Sequence, residues 1–371
     1  MKVIFGSFQA ITILEGGVKT QVSALKQELE KLGVEVLLFD AWEKYSLMNI
    51  DLVHLFCAHI GTYHLAKSMS ALNMNPAPFD NENEDKLLNL NRDNKQPDKR
   101  GGVKMVLTPV FYSRQNPRLI RATLPITKLF SKIGVFQFYQ IASELCNMAN
   151  IVAPNTQKEC DLVQNGLKVP NTKIKLLPNG VDERFYNTDP SLFINKYGVK
   201  DFILYVGHIG WQRKNLLPLL KICQKIDVPL VLIGKVIEND YGKKCLELIK
   251  SRRNTILITD IEHTNPILSS AYAACDSLVL PSYYETPGLV ALEAGLAGAK
   301  IVITKYGGTD EYFKNFVQYI EPSSERSIKQ GLLTSLEQKK STELKEHIRN
   351  NFLWKHAAEK LVKIYQSVNE K

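Results

Sequence analysis

Two glutamates eight positions apart, Glu285 and Glu293, lie in the stretch Ser282-Tyr-Tyr-Glu285-Thr-Pro-Gly288-Leu-Val-Ala-Leu-Glu293-Ala-Gly295. A short apolar run, Asp276-Ser-Leu-Val-Leu-Pro281, precedes them and reads as a strand that a proline stops. The spacing predicts a helix from about Gly288 through Gly295, with apolar residues at Leu289, Leu292 and Leu296. Its first turn would expose the amides of Gly288, Leu289 and Val290, an anion site suited to a diphosphate. Glu285 falls outside that turn and Glu293 about one and a half turns inside it, so the carboxylates flank the anion site from opposite sides. That arrangement suits a molecule with hydroxyl-rich groups at both ends of a diphosphate, as in a nucleotide sugar.

A second chemical cluster follows the apolar run Phe202-Ile-Leu-Tyr-Val206: Gly207-His208-Ile-Gly-Trp-Gln-Arg213-Lys214-Asn215, and then a helix. Two cations before a helix N-terminus can neutralise a departing diphosphate, the lysine as a point charge and the arginine as a planar fork. A solvated basic loop is the plain alternative for both.

These residues need elements to hold them. Lys2–Gly6 reads as a strand, followed by a loop with Glu15-Gly16-Gly17 and a helix with apolar residues at Val18, Val22, Leu25, Leu29 and Leu32. Gly33 closes that helix, and Val34–Phe39 is the next strand. Strand, Gly-rich loop, helix and strand make a Rossmann-type unit, but no Gly-x-Gly-x-x-Gly is present and a nicotinamide cofactor is not supported. Gly16 and Gly17 either let the backbone approach a ligand closely or make a tight turn. Asp51–Phe56 and Lys104–Pro109 read as further parallel strands, and the Asn-, Asp- and Lys-rich stretch Asn73–Gly102 as a surface insertion. Asn179-Gly180 signals a turn. Pro229–Gly234 and Lys300–Thr304 extend a second sheet, and Gly307-Gly308-Thr-Asp-Glu311 forms another Gly-rich loop. The expected domains are residues 1–190 and 191–353, with a final helix over 354–371.

The setting strand-Pro-Ser-x-x-Glu-x-x-Gly-x-x-x-x-Glu-Ala resembles the E-x7-E motif of the retaining glycosyltransferases of family 4. The resemblance implies an α/β protein of GT-B fold, with two Rossmann-like domains facing a central cleft and a C-terminal helix crossing back to the first. It implies that Glu285 contacts the transferred sugar and that Glu293 holds the nucleotide ribose hydroxyls. Gly288 and Leu289, with Thr286, Pro287 and Val290 beside them, would bind the donor diphosphate. Lys214-Asn215 matches the family's Lys-Asn, whose lysine contacts the phosphates, with Gly207 and His208 nearby. The family has an arginine where this chain has His208, and Arg213 is the candidate replacement. Gly16 and Gly17 would lie over the donor phosphates or the acceptor. Pro178-Asn-Gly-Val-Asp182 resembles the family's interdomain segment, and Glu311 falls at a recurrent family position. Many relatives place a histidine after the strand that here ends at Pro109, where Val110-Phe111 stands instead; His54, His59 and His64 are the nearby alternatives. The implied activity is metal-independent transfer of a sugar to a glycan or lipid-linked acceptor, in cell-surface polysaccharide or glycoconjugate synthesis. A non-catalytic subunit or a phosphorolytic sugar enzyme of the same fold is the alternative.

The 371 residues, 44% hydrophobic and 23% charged, suffice for two domains with separate cores. No run of about eighteen apolar residues suggests a membrane span, and Met1–Gly6 is too short for a signal peptide. Cys57, Cys146, Cys160, Cys223, Cys245 and Cys275 are scattered without metal-ligand spacing and read as thiols of a reducing cytoplasm. No Asp-x-Asp occurs, which argues against a metal-dependent transferase. The formal charge of +9 has a local counterpart in Ser113–Val135, where Arg114, Arg118, Arg121, Lys128 and Lys132 sit among apolar residues with no acidic neighbour. Such a stretch can dock on anionic headgroups at the inner membrane face, or be an ordinary amphipathic helix. No nucleic-acid motif accompanies it.

Overall fold

The computed structural model describes residues 1–8, 11, 16–43, 49–74, 103–131 and 135–369. Glu15, Lys132 and nearly all of the expected insertion at Asn73–Gly102 lie outside the described residues. The chain divides into two units: Met1–Pro154 with Cys160–Lys175 and Leu361–Lys371, and Asn155–Glu159 with Leu176–Lys360.

In the first unit, β1 (Lys2–Gly6), β2 (Glu35–Leu38), β3 (Leu52–Phe56), β4 (Lys104–Thr108) and β5 (Ile151–Val152) form a sheet of order β2-β1-β3-β4-β5. All of its pairings are parallel. Parallel connections need crossovers, and α1 (Gly17–Lys31), α2 (Ile60–Met74), α3 (Pro117–Ser131) and α4 (Phe138–Met148) lie between the strands. Every residue of β3 is buried, as expected for a strand covered on both faces. That includes His54, whose Nδ1 lies 2.7 Å from the Tyr365 hydroxyl and whose Nε2 lies 2.9 Å from Thr108 Oγ1. Burial pulls the imidazole pKa down to about 3, so His54 is a neutral, hydrogen-bonded core residue.

In the second unit, β6 (Ile203–Val206), β7 (Leu230–Ile233), β8 (Thr255–Ile258), β9 (Ser277–Leu280), β10 (Lys300–Thr304) and β11 (Gln318–Ile320) form a parallel sheet of order β11-β10-β9-β6-β7-β8. Alternate residues feed two apolar layers. Leu204, Leu278, Leu280, Ile301 and Ile303 belong to one cluster, and Ile203, Tyr205, Val279 and Val302 to the other. Helices α5 (Leu216–Cys223), α6 (Asp240–Ser251), α7 (Pro266–Ala274), α8 (Leu289–Leu296) and α9 (Glu325–Glu337) contribute to the two apolar layers, and α10 (Glu343–Asn351) packs against α8.

The segment after Lys175 joins the second core, where Val181 and Phe185 are buried. Val181 exchanges backbone hydrogen bonds with Phe352 (2.8 Å) and Trp354 (3.2 Å), at the start of α11 (Trp354–Asn369). Gly180 makes that approach possible, since a Cβ there would stand 2.5 Å from the Trp354 nitrogen and Cα. Backbone atoms cannot yield as a flexible side chain can. Gly180→Ala is therefore expected to lower stability by about 3 kcal/mol, with an unchanged denaturant slope. A urea midpoint equal to the parent's would refute this packing.

Candidate functional site

The strands β10, β9, β6 and β7 are consecutive neighbours in a parallel sheet, so the loops at their carboxyl ends gather along one edge. That edge is where open α/β sheets bind ligands. Glycines let these loops pack backbone to backbone. A Cβ on Gly234 would stand 2.2 Å from the Gly207 carbonyl oxygen, and one on Gly307 would stand 2.0 Å from the Glu285 carbonyl oxygen. Both residues adopt positive φ, and the Glu285 amide donates to the Tyr306 carbonyl at 3.1 Å.

The loop after β6 runs from Gly207 through a short 3-10 turn, Gln212–Lys214, to Asn215. Asn215 is buried and left-handed, with φ 52°, and starts α5. Its Nδ2 donates to the carbonyls of Pro281 (3.1 Å) and Pro322 (2.7 Å), which ties the β6 loop to the loops after β9 and β11. Two further bonds double the tie: the Tyr283 amide donates to the Arg213 carbonyl, and Arg213 Nη1 donates to the Tyr284 carbonyl, both at 2.9 Å. The Arg213 guanidinium also lies 5.0 Å from the Tyr284 ring centroid.

Between the tied loops, Lys214 Nζ donates to Glu285 Oε1 at 2.7 Å, and Arg213 Nη1 stands 3.9 Å from the same oxygen. The two partners of the shorter contact are largely buried, with side-chain exposures of 14% and 8%. Burial pushes the Glu285 carboxyl up, but the charges of Lys214 and Arg213 outweigh it and hold the pKa below its ordinary 4.5. Burial likewise pulls the Lys214 ammonium down, against the attraction of Glu285. His208 stacks on Trp211, with ring centroids 4.2 Å apart and planes 17° from parallel. Its place in the loop is therefore an aromatic shelf beside the cations.

Thr286 and Pro287, joined by a cis peptide bond, lead into Gly288, which caps α8 in the left-handed region at φ 90°. The helix thus begins at Leu289, one residue later than the spacing predicts. The amides of Ala291 and Leu292 already donate to the Gly288 carbonyl, so the first-turn amides left over by the helix are those of Leu289 and Val290. Glu293 sits inside α8 and is buried; His263 Nε2 lies 2.6 Å from its Oε1 and the Tyr272 hydroxyl donates to its Oε2 at 2.8 Å. Glu311 caps another helix start, with its Oε1 accepting from the Lys158 amide at 2.9 Å and its Oε2 from Gln157.

Eleven of the thirteen sequence-predicted site residues thus fall in the second unit: ten on the loops after β6 and β9 or at the start of α8, and Glu293 inside α8. Gly16 and Gly17 belong to the first unit, where Gly16 is the N-cap of α1 and Gly17 its first residue. Also in that unit, Val110 takes φ 48°, an outlying conformation for a β-branched residue, and Phe111 is fully buried. Sequence reasoning missed His263, Tyr272 and Arg184, and missed the clamping role of Asn215. His263 and Tyr272 lie 30 and 21 positions from Glu293, distances at which no periodic pattern links them. Among the described residues, no group of three or more His, Cys, Asp or Glu side chains could hold a metal ion.

Two parallel α/β units of this topology make a GT-B fold. The sucrose-phosphate synthase of Thermosynechococcus elongatus superposes with a TM-score of 0.71 at 14% identity, covering 99% of this chain and 98% of that one. HepE of Anabaena, solved in complex with UDP and glucose, superposes with a TM-score of 0.67 at 17% identity, covering 99% of this chain and 100% of that one. More particularly, residues 193–352 match the family described as Glycosyl transferases group 1, a span that holds the β6 loop, the β9 loop and α8. In sequence, the chain is 25% identical over 253 residues to an uncharacterized glycosyltransferase of Methanocaldococcus jannaschii, covering 62% of this chain. The match spans 63% of that relative's length, just under two thirds.

The buried pair gives a stability test with a defined sign. Removing the ammonium leaves a buried carboxylate whose remaining cation, Arg213, is more distant, so Lys214→Met should destabilise by about 3–5 kcal/mol near neutral pH. Adding Glu285→Gln to that variant should restore part of the loss. The depressed Glu285 pKa stabilises the parent above pH 4.5 and ceases to do so as the pH falls through the folded value. The gap between parent and Lys214→Met should therefore shrink in acid. Urea midpoints at about pH 7 and about pH 4 check both signs, and a gap that widens in acid would contradict the pairing.

Proposed function

We propose that this protein is a retaining, metal-independent glycosyltransferase that moves a hexosyl group from a nucleotide-diphosphate sugar to a glycan or lipid-linked acceptor. The observation that carries the reading is the Lys214–Glu285 pair, 2.7 Å apart beside Arg213 and close in sequence to the α8 start, inside the span matched by the family. A cation next to a buried carboxylate offers one group to a leaving phosphate and the other to sugar hydroxyls. Glu293, deeper in α8, would take the ribose.

The chemistry is breakage of the bond between the sugar anomeric carbon and the diphosphate oxygen. Charge develops on that oxygen, and Lys214, Arg213 and the Leu289 and Val290 amides would stabilise it without a metal ion. Glu285 would orient the sugar rather than attack it, because an adjacent ammonium that lowers its pKa also lowers its basicity. The acceptor hydroxyl would enter on the face the diphosphate leaves, its oxygen bonding the anomeric carbon as its proton passes to the departing phosphate oxygen, which retains the anomeric configuration. Positioning then supplies much of the rate. HepE, which shares the fold and was solved with UDP and glucose, makes UDP-sugars the first donors to try.

We further propose cell-surface polysaccharide or glycoconjugate synthesis at the inner membrane face, in the cytoplasm. Leu119, Ile126, Leu129 and Phe130 on α3 are 46–64% exposed, and Arg118, Arg121 and Lys128 on the same helix are exposed too. Apolar and basic side chains together suit an anionic bilayer surface. Among the described residues, no helix is long and apolar enough to cross a membrane.

Two measurements test this. Purified protein should release nucleotide from one sugar donor in the presence of acceptor, and Lys214→Ala should lower turnover by at least about a hundredfold. Unchanged turnover in Lys214→Ala would remove the lysine from the mechanism, and transfer to free phosphate would make the enzyme phosphorolytic. Separately, the protein should co-sediment with anionic vesicles at low salt, and Leu129→Asp with Phe130→Asp should abolish this. Equal sedimentation of parent and variant would exclude α3 as the contact.

A further inference from the structure

Glu293 is held by two donors of different kinds. Tyr272 is fully buried on α7, and burial, then the charge of Glu293, pushes its phenol pKa far up, so it remains a permanent donor. His263 lies in the loop between β8 and α7, with 41% of its side chain exposed. Behind it stands Arg184, whose Nη2 donates to the His263 carbonyl at 2.8 Å and lies 3.3 Å from its Nδ1. A guanidinium has no acceptor, so an imidazole nitrogen facing it presents its lone pair. The ring proton is thereby directed to Nε2, toward Glu293. Arg184 is itself placed by Asp182, 3.6 Å from its Nε, and by the Phe185 ring, 4.7 Å below it. Phe185 also meets His263 and Tyr272 edge-on, at 6.1 and 5.7 Å. The hydrogen bond to Glu293 raises the His263 pKa, against burial and the charge of Arg184.

A carboxylate offers about four lone-pair sites. One on each oxygen of Glu293 is filled, by His263 and by Tyr272, which leaves one on each. Two acceptor sites on neighbouring oxygens, in a plane fixed by two donors, match two hydroxyls on adjacent carbons. We propose that Arg184 and His263 are positioning residues of the nucleotide site: they set the Glu293 carboxylate to accept a ribose diol and to discriminate against 2′-deoxyribose. The inference rests on the reading of Glu293 as the ribose-holding residue. Neither Arg184 nor His263 needs to touch the ligand; both act through the orientation of Glu293.

The test pairs a protein change with a ligand change. The parent, His263→Phe and His263→Gln are titrated calorimetrically with UDP, ADP and GDP and with the 2′-deoxy form of each. Melting of the unliganded proteins checks the fold. The parent should bind one ribonucleotide at least about tenfold more tightly than its deoxy form, because the unmet acceptor site is costly to bury. In His263→Phe that ratio should fall toward unity, through weaker ribonucleotide binding and little change for the deoxy form. His263→Gln, which can still donate from its side-chain amide, should keep most of the ratio. Should His263→Phe fail to fold, Arg184→Gln must show the same reduced ratio. A folded His263→Phe, or in its place Arg184→Gln, with the parent's ratio overturns the inference and leaves the donor site standing. So does a parent that binds a nucleotide without preferring the ribose. A parent that binds none of the six overturns the donor reading and this inference with it.

Discussion

A carboxylate and an ammonium removed together from water dictate much of the second unit's architecture. Taking each charge out of solvent costs several kcal/mol, and only a short, well-held contact offsets it. At 2.7 Å the Lys214–Glu285 pair is such a contact, but it joins loops 71 positions apart in the chain. Each loop must therefore be rigid where its charge is presented. Asn215 supplies part of that rigidity by binding the Pro281 and Pro322 carbonyls, and Gly307 and Gly234 supply more by letting neighbouring loops approach at backbone distance. The same rigidity is what a charge-stabilising site needs, since prearranged groups do not have to reorganise as charge develops.

The first unit treats a buried ionisable group in the opposite way. His54 lies at the centre of its sheet, yet burial holds it neutral and both ring nitrogens have a hydroxyl within hydrogen-bond distance. No partner charge is required, and none of the neighbouring loops has to be fixed on its account. A histidine in a strand of Leu, Val and Phe looks chemically suggestive in sequence. In three dimensions it fills space and satisfies two hydroxyls.

The sheets were legible because parallel strands covered on both faces appear as continuous apolar runs, as in Phe202–Val206 and Asp276–Pro281. The turn between Glu285 and α8 was legible because glycine and proline restrict the backbone locally. What stayed hidden was every relation between distant stretches. Lys214 and Glu285 each stand in a motif, but nothing along the chain says that they touch. Glu293 stands in one recognisable motif and Arg184 at the end of another, but nothing along the chain joins them, and His263 lies in no pattern at all. Val181 and Phe185 look like a connector in sequence; only their burial in the second core shows which unit they stabilise.

The order in which parts of the chain are made gives the division of the units another meaning. Domains commonly fold in the order of synthesis, amino end first. Here the first unit includes Leu361–Lys371, whereas the second is complete at Lys360. A nascent chain therefore holds every strand of the second sheet before it holds the last segment of the first unit. Until Tyr365 leaves the ribosome, His54 lacks the hydroxyl it meets in the finished protein. The first unit thus takes one hydrogen-bond partner of its central histidine from a helix that is synthesised after the whole second sheet.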